Sequence, residues 1–215
     1  MLRKNLCLYT CALAAVLLLL APPVHSQSDR TLAPVKSEIQ IEGGGSVGNV
    51  RFFGYAADRR ILPFGFEYDR HSFGGFIGCK VDYVAELLPV VLVNEPAKYG
   101  VDGTALTSAR QWQYGAGFSP LGARMMWRRP GQIQPYLIGK GGAMYFKNRV
   151  LSTEGTHMQF SAEYGVGAEK LVNDKMGFRL AYNDFHFSNG DIGRHNPGID
   201  FMELQAGLTL RLWRH

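Results

Sequence analysis

The 215-residue chain is short of cysteine, of charge and of long hydrophobic runs, and each shortage excludes a class of protein. Two of its three cysteines, Cys7 and Cys11, lie in an apolar stretch from Leu6 to Ala21 that follows Arg3 and Lys4 and stops at Pro22-Pro23. With Val24-His25-Ser26 as a cleavage site, residues 1–26 read as a secretory signal peptide. The exported remainder of 189 residues keeps only Cys79, so no disulfide scaffold and no zinc spacing can be built. Charged residues are 19%, and loss of Arg3 and Lys4 lowers the formal net charge from +5 to +3. An exported chain with so small a positive excess is not a nucleic-acid binder. Beyond the N-terminus the longest apolar run is Leu87–Val93, seven residues, against the ~20 of a spanning helix.

What is abundant is glycine, 26 residues or about 12% against a usual ~7%, in a chain that is 46% apolar and therefore not disordered. The apolar residues recur with period two. Leu62, Phe64, Phe66 and Tyr68 alternate with Pro63, Gly65, Glu67 and Asp69; Met202, Leu204, Ala206, Leu208, Leu210 and Leu212 alternate with Glu203, Gln205, Gly207, Thr209 and Arg211. Such runs are strands with one apolar and one polar face. Eight strands are expected, at 49–57, 61–70, 76–93, 111–128, 132–147, 156–171, 176–189 and 200–213, after a leader over 27–48. Several match the ~9–11 residues of a tilted membrane strand. Links alternate between tight (Arg129-Pro130-Gly131, Asn173-Asp174-Lys175) and longer (Asn94–Arg110, Asn148–Gly155, Gly190–Ile199). Alternating links of this kind belong to outer-membrane barrels, with short periplasmic turns and long external loops. The expectation is an all-β, eight-stranded antiparallel transmembrane β-barrel over 49–215, its narrow interior filled by glycines and opposite charges such as Glu163, Arg179 and Glu203. Period alone leaves open a soluble periplasmic β-sandwich. Trp112, Tyr114, Trp127 and Trp213, near strand ends, suit an aromatic girdle.

One strand breaks the pattern. After Phe178, Leu180 and Tyr182, the apolar face of the seventh strand continues as Asp184, His186 and Ser188. Residues i and i+2 share a strand face, so His186 and Ser188 can lean together. Asp200 has the outward parity of Met202 and Leu204, on the strand that follows. A serine is a weak nucleophile until an imidazole takes its proton, and a carboxylate orients that imidazole. The Asn189 side chain and the backbone N–H groups around Gly190 are the nearest oxyanion donors. Polar residues crowding a rim are the plain alternative. His71, His157 and His195 have no mutual metal spacing and read as turn or rim residues. Lys98, Arg110, Arg149 and Arg194 fall in external loops, where ordinary solvated charge is the plain account and contact with lipid phosphates the alternative.

His186-Phe187-Ser188-Asn189, with Asn196-Pro197-Gly198-Ile199-Asp200 opening the last strand, resembles the active-site region of the lipid A 3-O-deacylases, outer-membrane barrels grouped as acyloxyacyl hydrolases. A looser likeness takes in Ala85–Val90, Tyr114–Gly122 and Pro135-Tyr136, so it spans most of residues 50–213. The resemblance implies an outer-membrane serine esterase that removes an ester-linked acyl chain from lipid A (lipopolysaccharide) in the outer leaflet, without a cofactor or metal. The family's His and Ser fall on His186 and Ser188, its Asn on Asn189 and its Glu on Asp200, one methylene shorter. Where the family often has Gly, Asp191 stands. Replacing Asp200 by Glu is on this reading expected to keep or raise activity. A homodimer is left open, as is a structural or adhesive barrel that keeps the fold without the reaction.

Overall fold

The computed structural model describes residues 37–128 and 133–212. Eight antiparallel strands follow one another around a closed barrel: β1 (Ser37–Val50), β2 (Arg60–Phe76), β3 (Cys79–Pro96), β4 (Arg110–Met126), β5 (Ile133–Phe146), β6 (Met158–Leu171), β7 (Met176–Ser188) and β8 (Ile199–Leu212). Closure is made by β1 on β8, paired from Ser37 opposite Leu212 to Val50 opposite Asp200 with a register shift between Ser46 and Gly48. Long connections, 51–59, 97–109, 147–157 and 189–198, gather at one end, and the short ones at the other. Outer-membrane barrels place the long loops outside the cell.

The first strand departs from the sequence expectation. It covers 37–50 rather than 49–57, inside the segment read as a leader, and residues 51–59 form a loop. Glu38-Ile39-Gln40-Ile41-Glu42 does alternate, but only for five residues before Gly43-Gly44-Gly45 removes the signal. The signal peptide over 1–26, the turn at 129–131 and Trp213 lie outside the described residues.

The barrel is inverted relative to a water-soluble one. Ile41, Phe64, Phe66, Leu87, Trp112, Phe118, Leu180 and Leu204 are exposed on its outer wall, while Glu38, Glu67, Asp69, Arg124, Lys140 and Arg179 are buried inside. So wide an apolar exterior suits a lipid solvent.

The interior has two tiers, and here the expectation of charges and glycines throughout is corrected. Toward the short-turn end, Arg179 bonds to Glu38, Gln40 (3.0 Å) and Asp69 (2.5 Å), and Arg124 to Glu67 and Asp69. Lys140 bonds to Glu86 and lies 3.1 Å from Glu163. Toward the long-loop end the lumen is apolar. Phe187 packs at 5.6 Å centroid separation against both Phe146 and Phe201, among Ile61, Val91, Val93, Met144, Phe185 and Ile199. Phe185, Phe187 and Phe201 have the inward parity, so an apolar plug backs the part of β7 and β8 where the outer face turns polar.

Three outcomes are expected in denaturant unfolding of the refolded barrel. Arg179→Leu, which takes from the buried Glu38 and Asp69 one of the cations each is paired with, should cost about 3–5 kcal/mol, and Phe187→Ala a similar ~3–5 kcal/mol through the cavity it opens. Lys80→Ala, exposed beside the β2–β3 turn, should change stability by less than about 0.5 kcal/mol.

Candidate active site

β7 carries the site because its two faces are anchored differently. Inside, Phe185 and Phe187 are held in the aromatic plug; outside, Asp184, His186 and Ser188 occupy successive outward positions. The plug fixes the backbone from behind, which is what a pre-organised constellation on a strand requires. Asp184 is nearly fully buried, and the Tyr164 hydroxyl on β6 donates to its Oδ2 at 2.5 Å. A polar residue on this wall thus has a partner rather than lipid.

His186 and Asp200 are direct register partners on β7 and β8. His186 Nδ1 lies 2.6 Å from Asp200 Oδ1, so the imidazole donates from Nδ1 and leaves Nε2 to accept a proton. His186 keeps 14% of its side chain exposed and Asp200 none. Ser188 stands beside them. A β-carbon built on Gly198 would be 3.2 Å from His186 Cε1 and 3.5 Å from Ser188 Cβ, so both side chains border the same small space. Gly198 has φ +53°, a conformation other residues adopt at a cost, and a β-carbon there would crowd the Gly54 backbone and the His186 ring, each at 3.2 Å. Ser188 Oγ takes up no hydrogen bond among the described residues.

Asp200 is held from the other side by main-chain groups. Its Oδ2 accepts three successive backbone N–H groups from the β1–β2 loop: Phe52 at 2.7 Å, Phe53 at 2.9 Å and Gly54 at 2.9 Å. Asn49 Nδ2 donates to the Asp200 carbonyl at 3.3 Å. The same loop runs along the β7–β8 loop, with Tyr55 N donating to Pro197 O and Ala56 N to Gly198 O. It also brings the exposed Phe53 ring edge-on to His186, 5.7 Å between centroids, and to Tyr164 at 6.3 Å.

Asn189 is placed otherwise than a free oxyanion donor would be. It is buried, its Nδ2 donates to His195 O at 2.8 Å, and its Oδ1 accepts from Asp191 N. Its own N–H goes to Asn196 Oδ1. The side chain therefore braces the β7–β8 loop. Gly190, exposed and at φ +60°, has an N–H that no backbone acceptor takes among the described residues. Asp191 adopts a left-handed φ of 61°, the conformation that glycine adopts without cost.

The remaining residues singled out by sequence scatter. His71 sits at the short-turn end, 2.7 Å from Asp82. His157 stacks on Tyr145, and His195 lies near Glu154. Lys98, Arg110, Arg149 and Arg194 are all exposed at the long-loop end, the end that carries His186 and Ser188.

Beneath the loops lies Arg59. Its guanidinium donates to the carbonyls of Ala57 (2.7 Å), Gly103 (3.0 Å) and Leu151 (3.2 Å), lies 3.6 Å from Glu95 and covers the Tyr99 ring. Burial pulls this guanidinium below its ordinary pKa, with the Glu95 carboxylate opposing the shift. Burial, followed by the charge of Glu95, pushes the Tyr99 phenol up. Three external loops are thus tied to one side chain.

Comparison with known proteins agrees with this architecture. Among solved structures, the outer membrane enzyme PagL superposes with a TM-score of 0.54 at 12% identity, covering 81% of this chain and 99% of that one. Neisserial surface protein A (NspA) superposes with a TM-score of 0.50 at 11% identity, covering 82% and 97%. Identities this low speak for the barrel alone. No curated protein sequence matches the chain. The model of the family described as lipid A 3-O-deacylase (PagL) matches residues 88–209, more than half of the sequence, taking in all of β4–β7 and β8 as far as Thr209. The chain therefore belongs to the lipid A 3-O-deacylase family of outer-membrane β-barrels.

Proposed function

We propose that this barrel is a serine esterase that removes an ester-linked acyl chain from lipid A in the outer leaflet. The observation that carries the reading is the 2.6 Å His186–Asp200 hydrogen bond on the lipid-facing wall, with Ser188 next on the same face. Ser188 Oγ attacks the ester carbonyl while His186 Nε2 takes its proton, and Asp200 stabilises the imidazolium without accepting that proton. The carbonyl oxygen becomes an oxyanion, for which the Gly190 N–H is the uncommitted donor. Collapse breaks the ester C–O bond, and His186 returns the proton to the departing sugar oxygen. Water then hydrolyses the acyl-Ser188 ester by the same proton route, releasing a fatty acid.

The surroundings fit an amphiphile lying in the membrane. The exposed rings of Phe53, Phe160 and Tyr164 border the pair on the lipid side, and Lys98, Arg110, Arg149 and Arg194 stand above it for phosphate groups. The open Ser188–His186 contact is compatible with catalysis, since such hydrogen bonds commonly tighten only around a substrate.

Mass spectrometry of lipid A from a Gram-negative host provides the test. Cells expressing the wild-type chain should show lipid A lighter by one acyl group, and Ser188→Ala or His186→Ala should restore the mass of the empty host. Asp200→Asn, which leaves His186 in the wrong tautomer, should lower the rate by about 10⁴-fold. An unchanged lipid A mass with folded wild-type barrel would favour the structural or adhesive reading instead.

A further inference from the structure

In a serine–histidine–carboxylate site the carboxylate has one oxygen on the imidazole, and something must fix the other. Here that partner is backbone: the consecutive N–H groups of Phe52, Phe53 and Gly54 converge on Asp200 Oδ2 at 2.7–2.9 Å. Successive amides of this kind form an anion-binding concavity, and hydrogen bonds to an ionised carboxylate are among the stronger ones in proteins. The loop supplying them is part of the site's wall rather than its surface. Gly54 is buried, and a β-carbon on it would lie 2.3 Å from Ile199 N and 2.4 Å from Gly198 C, both backbone atoms next to Asp200. The loop is also held from below. Arg59 N donates to Asn49 Oδ1 at 3.2 Å, and the Arg59 guanidinium ties the loop's own Ala57 carbonyl to those of Gly103 and Leu151.

We infer that the β1–β2 loop is the positioning element of the catalytic pair: its Phe52–Gly54 amides hold Asp200 Oδ2 so that Oδ1 faces His186 Nδ1, with Gly54 and Arg59 as its positioning residues. The inference rests on the esterase reading for its catalytic meaning. It also accounts for an aspartate at this position. From a register position directly opposite His186, the short side chain reaches the imidazole with one oxygen and the loop with the other. A glutamate would carry the carboxylate about 1.5 Å further, into space that the His186 ring and the loop backbone, both in contact with the buried Asp200, already occupy. The expectation drawn from sequence, that Asp200→Glu keeps or raises activity, is therefore reversed. The matched family segment begins at residue 88, so residues 52–54 and Arg59 lie outside it.

The test uses the full-length barrel refolded in detergent, with purified lipid A in mixed micelles as substrate and circular dichroism to verify folding. Gly54→Ala should lower kcat about 10–100-fold while KM stays within about threefold, because a displacement on the order of 1 Å costs catalysis rather than binding. Asp200→Glu should lower kcat at least tenfold. A folded Gly54→Ala or Asp200→Glu barrel with wild-type kcat overturns the proposal; should Gly54→Ala not fold, Asp200→Glu and Arg59→Met, which keeps the loop's own sequence at 52–54, decide it. Amide hydrogen exchange gives a readout independent of activity. The Phe52, Phe53 and Gly54 amides should exchange at least tenfold faster in Asp200→Ala than in wild type. Equal exchange overturns the loop's hold on Asp200 whatever the activity. A folded wild type that releases no acyl chain, with the amides protected, overturns the esterase reading alone.

Discussion

An eight-stranded barrel in a membrane must satisfy every backbone group within itself and fill its own lumen with side chains, and the rest of this structure follows from how that lumen is filled. Below, buried arginines and a lysine are embedded among a larger number of carboxylates, so Arg124, Lys140 and Arg179 each serve two or more acids. Above, Phe146, Phe185, Phe187 and Phe201 close the lumen with rings. The upper tier does something more. It holds β7 and β8 rigid from within at the level where Asp184, His186, Ser188 and Asp200 stand outside.

The site inverts the usual cost of polar groups on a lipid-facing wall. Asp184 is answered by the Tyr164 hydroxyl, Asp200 by His186 and three amides, and His186 is sheltered by the Phe53 edge. Ser188 keeps a hydroxyl with no hydrogen bond among the described residues, on the same face as the imidazole, which is the property a nucleophile needs. Pairing on β7–β8 is set by register, so a slip of one residue would turn His186 and Asp200 to opposite faces.

Much of this was legible in the residues because strand period is a side-chain signal. The parities of β2–β8 follow from runs such as Leu62–Asp69 and Met202–Leu212, and the outward placement of His186, Ser188 and Asp200 follows from the same count. β1 was displaced because three glycines interrupt its alternation after Glu42. The apolar upper lumen was missed because an inward Phe and an outward Phe are the same letter; only Phe185, Phe187 and Phe201, read against the polar Asp184, His186 and Asp200, would have exposed the inversion. Asn189 was assigned by residue type, whereas its amide is engaged by the His195 carbonyl. The three donors to Asp200 are main-chain groups common to almost every residue, so no composition or motif could announce them. Gly54 was the single visible trace.

His186, Ser188 and Asp200 lie on the barrel's outer wall and not in its lumen, and on the proposed esterase reading this fixes the dimension in which the protein meets its substrate. On that reading a lipid substrate reaches His186 and Ser188 by lateral diffusion within the leaflet, so the relevant concentration is a surface density set by lipid composition. Anything released at the same wall with an apolar tail remains in that leaflet. Encounter, saturation and product accumulation are thereby properties of a two-dimensional fluid, and the packing of the neighbouring lipids becomes as direct a control on the site as any side chain within it.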